Sequence, residues 1–158
     1  MNKILIIEDD IFLGDVLIQK LKTAQYEVLL ERDGSSGLKQ IREWKPDLIL
    51  LDIILPNKNG YEVLEEKLRD AAIAQIPVIV ISNSGQPVEI NRALALGVKD
   101  YLVKAQFDPE EVIVKVRLQL ANLSASPAQA EGGEAPIPVK EDTPAAPAAR
   151  QLRGKKIM

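Results

Sequence analysis

The chain has 158 residues, the length of one compact domain with a remainder, and its 46% apolar content supplies a real core. Acidic residues outnumber basic ones 23 to 20, a formal charge of −3, which argues against binding nucleic acid or an anionic membrane through bulk charge. Without cysteine or histidine, the chain can hold no disulfide, thiol nucleophile, Ser-His-Asp triad, His-ligated metal or phosphohistidine of its own.

The first apolar run, Lys3–Ile7, predicts a strand that stops at Glu8-Asp9-Asp10. It is too short for a signal-peptide core or a spanning helix of about 20 residues, so no membrane association and a cytoplasmic setting are expected. Leu13, Leu17 and Leu21 then recur at helical spacing, followed by a strand at Tyr26–Leu30 and a helical pair, Leu38 and Ile41. A third strand at Asp47–Leu51 precedes a helix with Leu64 and Leu68 on its apolar face. A fourth, Pro77–Ile81, precedes a helix with Ile90, Ala93 and Leu94, closed by Gly97 as C-cap glycine. The fifth strand, Asp100–Val103, leads to Asp108-Pro109-Glu110-Glu111. That run reads as an N-cap, a first-turn proline and a capping-box glutamate, opening a helix with Val112, Val116 and Leu120. Continuous apolar strands alternating with helices imply a parallel sheet covered on both faces. After Leu123 the composition changes: residues 124–158 have no aromatic and carry five of the ten prolines. They read as a Pro/Ala-rich disordered tail or linker behind a domain spanning 1–123.

Open parallel sheets bind ligands at the carboxyl ends of their strands. Here each strand is apolar to its end and then presents a polar side chain: Glu8 and Asp9, then Asp52, Ser82 and Lys104. If the first and third strands are neighbours, three carboxylates converge and repel, so a proton or a cation must join them. Mg²⁺, a hard ion with oxygen ligands, is the economical choice. Lys104 opposite the ion would complete a clamp for a phosphoryl group, with Asp52 placed to attack phosphorus in line and Ser82 able to donate to a phosphoryl oxygen. Taken singly, an acidic run after a strand is an ordinary helix cap and a lysine there is ordinarily solvated.

Four stretches together carry a family likeness: Lys3-Ile4-Leu5-Ile6-Ile7-Glu8-Asp9-Asp10; Asp52-Ile53-Ile54-Leu55-Pro56-Asn57-Lys58-Asn59-Gly60; Pro77-Val78-Ile79-Val80-Ile81-Ser82; and Gly97-Val98-Lys99-Asp100-Tyr101-Leu102-Val103-Lys104. Over about residues 2 to 122 the sequence resembles the receiver domain of two-component response regulators. The resemblance implies an α/β fold, a doubly wound five-stranded parallel sheet of flavodoxin-like order 2-1-3-4-5 with five flanking helices. It implies that Glu8, Asp9, Asp52 and the Ile54 backbone carbonyl bind Mg²⁺, and that Asp52 is the phosphoacceptor. Ser82 and Lys104 would contact the phosphoryl oxygens, and Tyr101 would turn inward as Ser82 moves toward them. Asp10 is expected to cap a helix.

The sequence departs from the commonest receiver pattern in places. Ala105 follows Lys104 where proline is usual. A non-proline cis bond costs about 2.5–4 kcal/mol, which favours a trans Lys104–Ala105 link. Ile54, Asn83 and Ser84 border the acceptor and are expected to tune water access and phosphate lifetime. The resemblance further implies phosphoryl transfer from a histidine kinase or histidine phosphotransfer protein. The switched surface would be the helix 4–strand 5–helix 5 face, addressed to a downstream protein, with the chain a monomer or a weak dimer through that face. No output domain is visible, so no direct nucleic-acid binding is expected. Nor is an enzyme beyond self-catalysed phosphotransfer and autodephosphorylation.

Two other classes compete. A pseudo-receiver acting as a protein-interaction module would never carry phosphate. An aspartyl hydrolase of similar topology needs a second Asp at the position of Ile54, and no nucleotide-binding loop signature is present. The basic-then-apolar end, Leu152-Arg153-Gly154-Lys155-Lys156-Ile157-Met158, reads either as the lead-in to a second receiver or as a basic tail tip.

Overall fold

The computed structural model describes residues 1–106 and 108–124. The chain divides into two units, Met1–Leu120 and Ala121–Met158. The first holds the whole sheet; of the second, Ala121–Ser124 are helical. The stretch read as a tail therefore lies outside the described residues apart from Ser124, as does the suggested second receiver.

Strands and helices alternate throughout: β1 (Lys3–Ile7), α1 (Ile11–Thr23), β2 (Glu27–Glu31), α2 (Gly34–Trp44), β3 (Leu48–Asp52), α3 (Gly60–Leu68), β4 (Val78–Ser82), α4 (Pro87–Ala95), β5 (Asp100–Val103) and α5 (Pro109–Ser124). All strand pairings are parallel, in the order β2-β1-β3-β4-β5, as expected. The central strands are apolar at nearly every position because both faces are covered. Alternation along them separates two cores. Leu5, Ile7, Ile49, Leu51 and Val80 pack with residues of α2, α3 and α4, whereas Ile4, Ile6, Leu50, Ile79 and Ile81 pack with Leu17 and Leu21 of α1 and Val112 and Val116 of α5.

Three strands lie one residue later than the sequence suggests, so Asp52 and Ser82 are the last residues of β3 and β4 rather than the first beyond them. Side chains cap the N-termini of α1, α2, α3 and α5, whereas α4 starts without such a cap. Asp10 accepts from the Leu13 amide and Asp33 from Ser36, while Asn59 and Glu62 form a reciprocal capping box. At the predicted α5 cap the Glu111 carboxylate accepts from the Asp108 amide, the Asp108 carboxylate accepts from the Glu110 amide, and the Glu111 amide donates to the Asp108 backbone carbonyl. Gly97 follows α4 with φ of +90°, where a side chain would be strained. The apolar face of α3 differs from expectation: Leu68 is 45% exposed and Lys67, one position earlier, is buried. On α4, Leu94 faces outward and Ala93 inward.

Candidate functional site

The site forms where β1, β3 and β4 end. Pairing of β1 with both β2 and β3 places Ile7 beside Leu51, so the next residues, Glu8 and Asp52, emerge side by side. Position 60 fixes the loop after Asp52. Its amide donates to the Ile53 carbonyl over 2.7 Å, and a Cβ there would lie 2.6 Å from the Asp52 carbonyl oxygen and 2.7 Å from Ile53 Cα. Only glycine permits that approach, which explains the last residue of the Asp-x-x-Leu-Pro-x-x-x-Gly run.

Glu8 and Asp52 are buried and Asp9 is exposed. One carboxylate oxygen from each lies within 4.8 Å of the others. The Lys104 ammonium sits 3.0 Å from Glu8 Oε2 and 3.0 Å from Asp52 Oδ2, bridging the two. The Asp10 amide donates to Glu8 Oε2 and the Ile54 amide to Asp52 Oδ1. Burial first, and then the neighbouring Asp52, push the Glu8 carboxyl up to about 7, against the pull of the Asp10 amide and Lys104. Burial would lower Lys104, but its hydrogen bonds to Asp52 and Glu8 outweigh this and hold it above the ordinary lysine value. Crowded acids that raise one member's proton affinity are a donor set short of positive charge. Three hard oxygen ligands with one exposed member, Asp9, suit a small divalent cation that keeps some of its waters. The residues fit the group expected from the sequence.

The other predicted residues sit around this cluster in different ways. The Ser82 hydroxyl is buried and accepts from the Ser84 amide at 3.2 Å, and the Ser84 carbonyl accepts from the Tyr101 hydroxyl at 2.7 Å. Ser84 thus links the two. Tyr101 is half-buried against the α2–α4 core. Asn83 is exposed, and Ile54 points outward with 70% exposure beside the acceptor carboxylate. The Lys104–Ala105 peptide is trans.

One cluster escaped the sequence reading. The Tyr61 hydroxyl of α3 donates to the Glu89 carbonyl at 3.2 Å and to the Glu89 carboxylate, and the Arg92 guanidinium lies 3.8 Å from the Tyr61 ring centroid. This ties α4 to α3. Its only sequence signal is the i, i+3 spacing of Glu89 and Arg92, which does not identify the ring they share.

The family model for the response regulator receiver domain matches residues 4–117. The chain belongs to that family. The DNA-binding dual master transcriptional regulator RpaA of Synechocystis is 36% identical over 134 residues, covering 85% of this chain and 55% of RpaA. The receiver spans about half the length of the curated relatives it matches. Among solved structures, the Mn(2+)-bound form of response regulator Rcp1 is 31% identical with a TM-score of 0.62, covering 68% of this chain and 84% of that one. The phosphorylated cyanobacterial phytochrome response regulator RcpA is 32% identical with a TM-score of 0.66, covering 79% and 96%.

One expectation is overturned. The absence of nucleic-acid binding was inferred from balanced charge and from the lack of a visible output domain, yet RpaA is a DNA-binding regulator. Charge balance within a receiver carries no information about the rest of such a relative's length, so the inference fails. No helix among the described residues is long and apolar enough to cross a membrane.

Proposed function

We propose that this receiver acts in the cytoplasm and is phosphorylated on Asp52 by a histidine kinase or histidine phosphotransfer protein. Phosphorylation then changes the surface of α4, β5 and α5. One observation carries the reading: Glu8, Asp9 and Asp52 converge at the strand ends with Lys104 spanning two of them. In the transfer, an Asp52 carboxylate oxygen bonds to phosphorus as the donor's N–P bond breaks, and the departing imidazole nitrogen keeps the electron pair and takes up a proton. The Ile54 amide orients the carboxylate by holding Oδ1. Lys104, already at Oδ2, is within reach of the oxygens that arrive, and rotation of the Ser82 hydroxyl adds a neutral donor. Glu8, Asp9, Asp52 and the Ile54 carbonyl would hold Mg²⁺, which supplies charge neutralisation for the transferring group. The Mn(2+)-bound Rcp1 supports divalent binding in this family.

When Ser82 turns toward the phosphoryl group, the Ser84 amide loses its acceptor. The Ser84 carbonyl that holds Tyr101 is then free to shift, which passes the change to β5 and α4. Ile54, Asn83 and Ser84 flank the route of the hydrolysing water and set the lifetime of the phosphate. The protein acts catalytically only on itself.

Incubation with acetyl phosphate and Mg²⁺, followed by intact-mass measurement, tests the proposal. A phosphoryl adduct is expected on the parent and not on Asp52→Asn. A parent that gains no adduct favours the pseudo-receiver reading.

A further inference from the structure

At the end of the sheet opposite the carboxylates, where β4 and β5 begin, lies a cavity of about 220 Å³. Leu64, Ile76 and Leu96 contribute apolar walls, and the charged groups lining it are Lys67 and Lys99, with no carboxylate. Lys67 is 4% exposed, a degree of burial that lysine almost never reaches unpaired. Its ammonium donates one hydrogen bond, 2.8 Å to the Ala74 carbonyl, and has three N–H groups to place. Among the described residues no carboxylate lies within ion-pair distance of Lys67 or Lys99. Burial, and after it the Lys99 charge, bring the Lys67 amine down to about 8. At neutral pH the group is still mostly cationic.

The buried Lys67 ammonium, with Lys99 at the exposed rim and no counter-charge in a cavity of mixed polar and apolar lining, calls for an anion, which would relieve both the desolvation of Lys67 and the repulsion between the two lysines. The walls narrow the class. A bare oxyanion such as phosphate would leave oxygens against leucine and isoleucine, whereas an aliphatic carboxylate matches both parts of the lining. The volume, below the roughly 300–1,000 Å³ of sites for drug-sized molecules, limits the body to a few carbons. We propose that this cavity binds a small carboxylate with a short aliphatic body, its head between Lys67 and Lys99 and its body against Leu64, Ile76 and Leu96.

The test is titration of the full chain with isovalerate at constant ionic strength, followed by amide NMR, with isovaleramide and inorganic phosphate as comparison probes. Saturable shifts are expected at the Ala74, Gly97 and Lys99 amides with isovalerate. Affinity should fall about tenfold or more for isovaleramide, for phosphate and in Lys67→Met, the loss expected when a charge-assisted hydrogen bond is removed. Lys99→Gln, at the exposed rim, should weaken binding several-fold and serves if Lys67→Met does not fold. The proposal is overturned by any of three results: no saturable shift, equal binding of isovaleramide or phosphate, or unchanged affinity in every variant that folds.

Discussion

Lys104 faces two buried acids, and the balance among these three groups governs local stability. Deleting one partner of a buried ionic cluster costs about 3–5 kcal/mol because the remaining charges stay desolvated. Lys104→Met should therefore lower stability by about 3 kcal/mol in chelator, measured by urea unfolding. Added Mg²⁺ should raise the stability of the variant more than that of the parent, since the ammonium and the ion address the same carboxylate oxygens. An identical Mg²⁺ effect in both would show that they do not compete. Lys67 gives a second prediction, with its sign set by desolvation. Its folded-state pKa of about 8 lies below the ordinary 10.5, so the unfolded chain binds more protons between those values. The penalty for burying the charge is fully present below pH 8 and is relieved as pH rises toward 10.5. Against Lys67→Met, measured in chloride buffer, the parent should gain about 3 kcal/mol between pH 7 and 10.5. A pH-independent difference would mean that Lys67 keeps its ordinary proton affinity in the folded state. Nothing in the sequence marked this residue. Leu64 sets a helical face that continues at either position 67 or 68, and a lysine is read as solvated by default.

At the scale of single elements, glycines separate propensity from packing. Replacing a helical glycine by alanine ordinarily stabilises by about 0.5–1 kcal/mol. Gly14 of α1 has ordinary contacts, its nearest neighbour for a new Cβ being Leu30 Cδ2 at 3.4 Å, and Gly14→Ala should show that gain. Gly37 of α2 is also helical, but a Cβ there would meet Ile7 Cδ1 at 2.6 Å in the core beneath the sheet. Gly37→Ala should cost about 1–3 kcal/mol, the usual scale of overpacking. Thermal unfolding of the two variants checks the opposite signs, and the same sign in both would refute the packing argument. The elements themselves were legible because buried parallel strands are short, continuous apolar runs and helices carry their own cap signals. The strand ends were less so: Asp52 and Ser82 are polar, and polarity reads as the end of a strand even where the ladder continues through it. The link through Ser84 was illegible for a different reason. It uses the backbone amide and carbonyl, and these carry no residue-specific signal.

Across the whole molecule, the order of the strands came from a family likeness rather than from periodicity, since alternating strands and helices fit several parallel orders. Once that order is set, the convergence of Glu8, Asp9 and Asp52 follows from adjacency, and the two cores follow from the alternation of side chains. The distribution of burial then indicates where the molecule can give. β1, β3 and β4 are buried through most of their length, whereas α4 contributes Ala93 as its buried residue and begins at Gln86 without a side-chain cap. Its tether is polar, through Tyr61, Glu89 and Arg92. Elements with few buried apolar contacts open at lower free energy than the core, so α4 amides should exchange with deuterium well before those of β1 and β3. Tyr61→Phe removes the hydroxyl from the tether and should speed exchange in α4 while leaving β1 unchanged. Phosphorylation of Asp52, through Ser82 and Ser84, should in turn alter protection in α4 and β5 more than in α2. Full reversal of a two-state surface from 1:99 to 99:1 requires about 5.5 kcal/mol of differential stabilisation, and a helix anchored this lightly has the least packing to oppose it. Protection changes spread evenly over all five helices would remove α4 and β5 as the responding surface, even if Asp52 accepts phosphate.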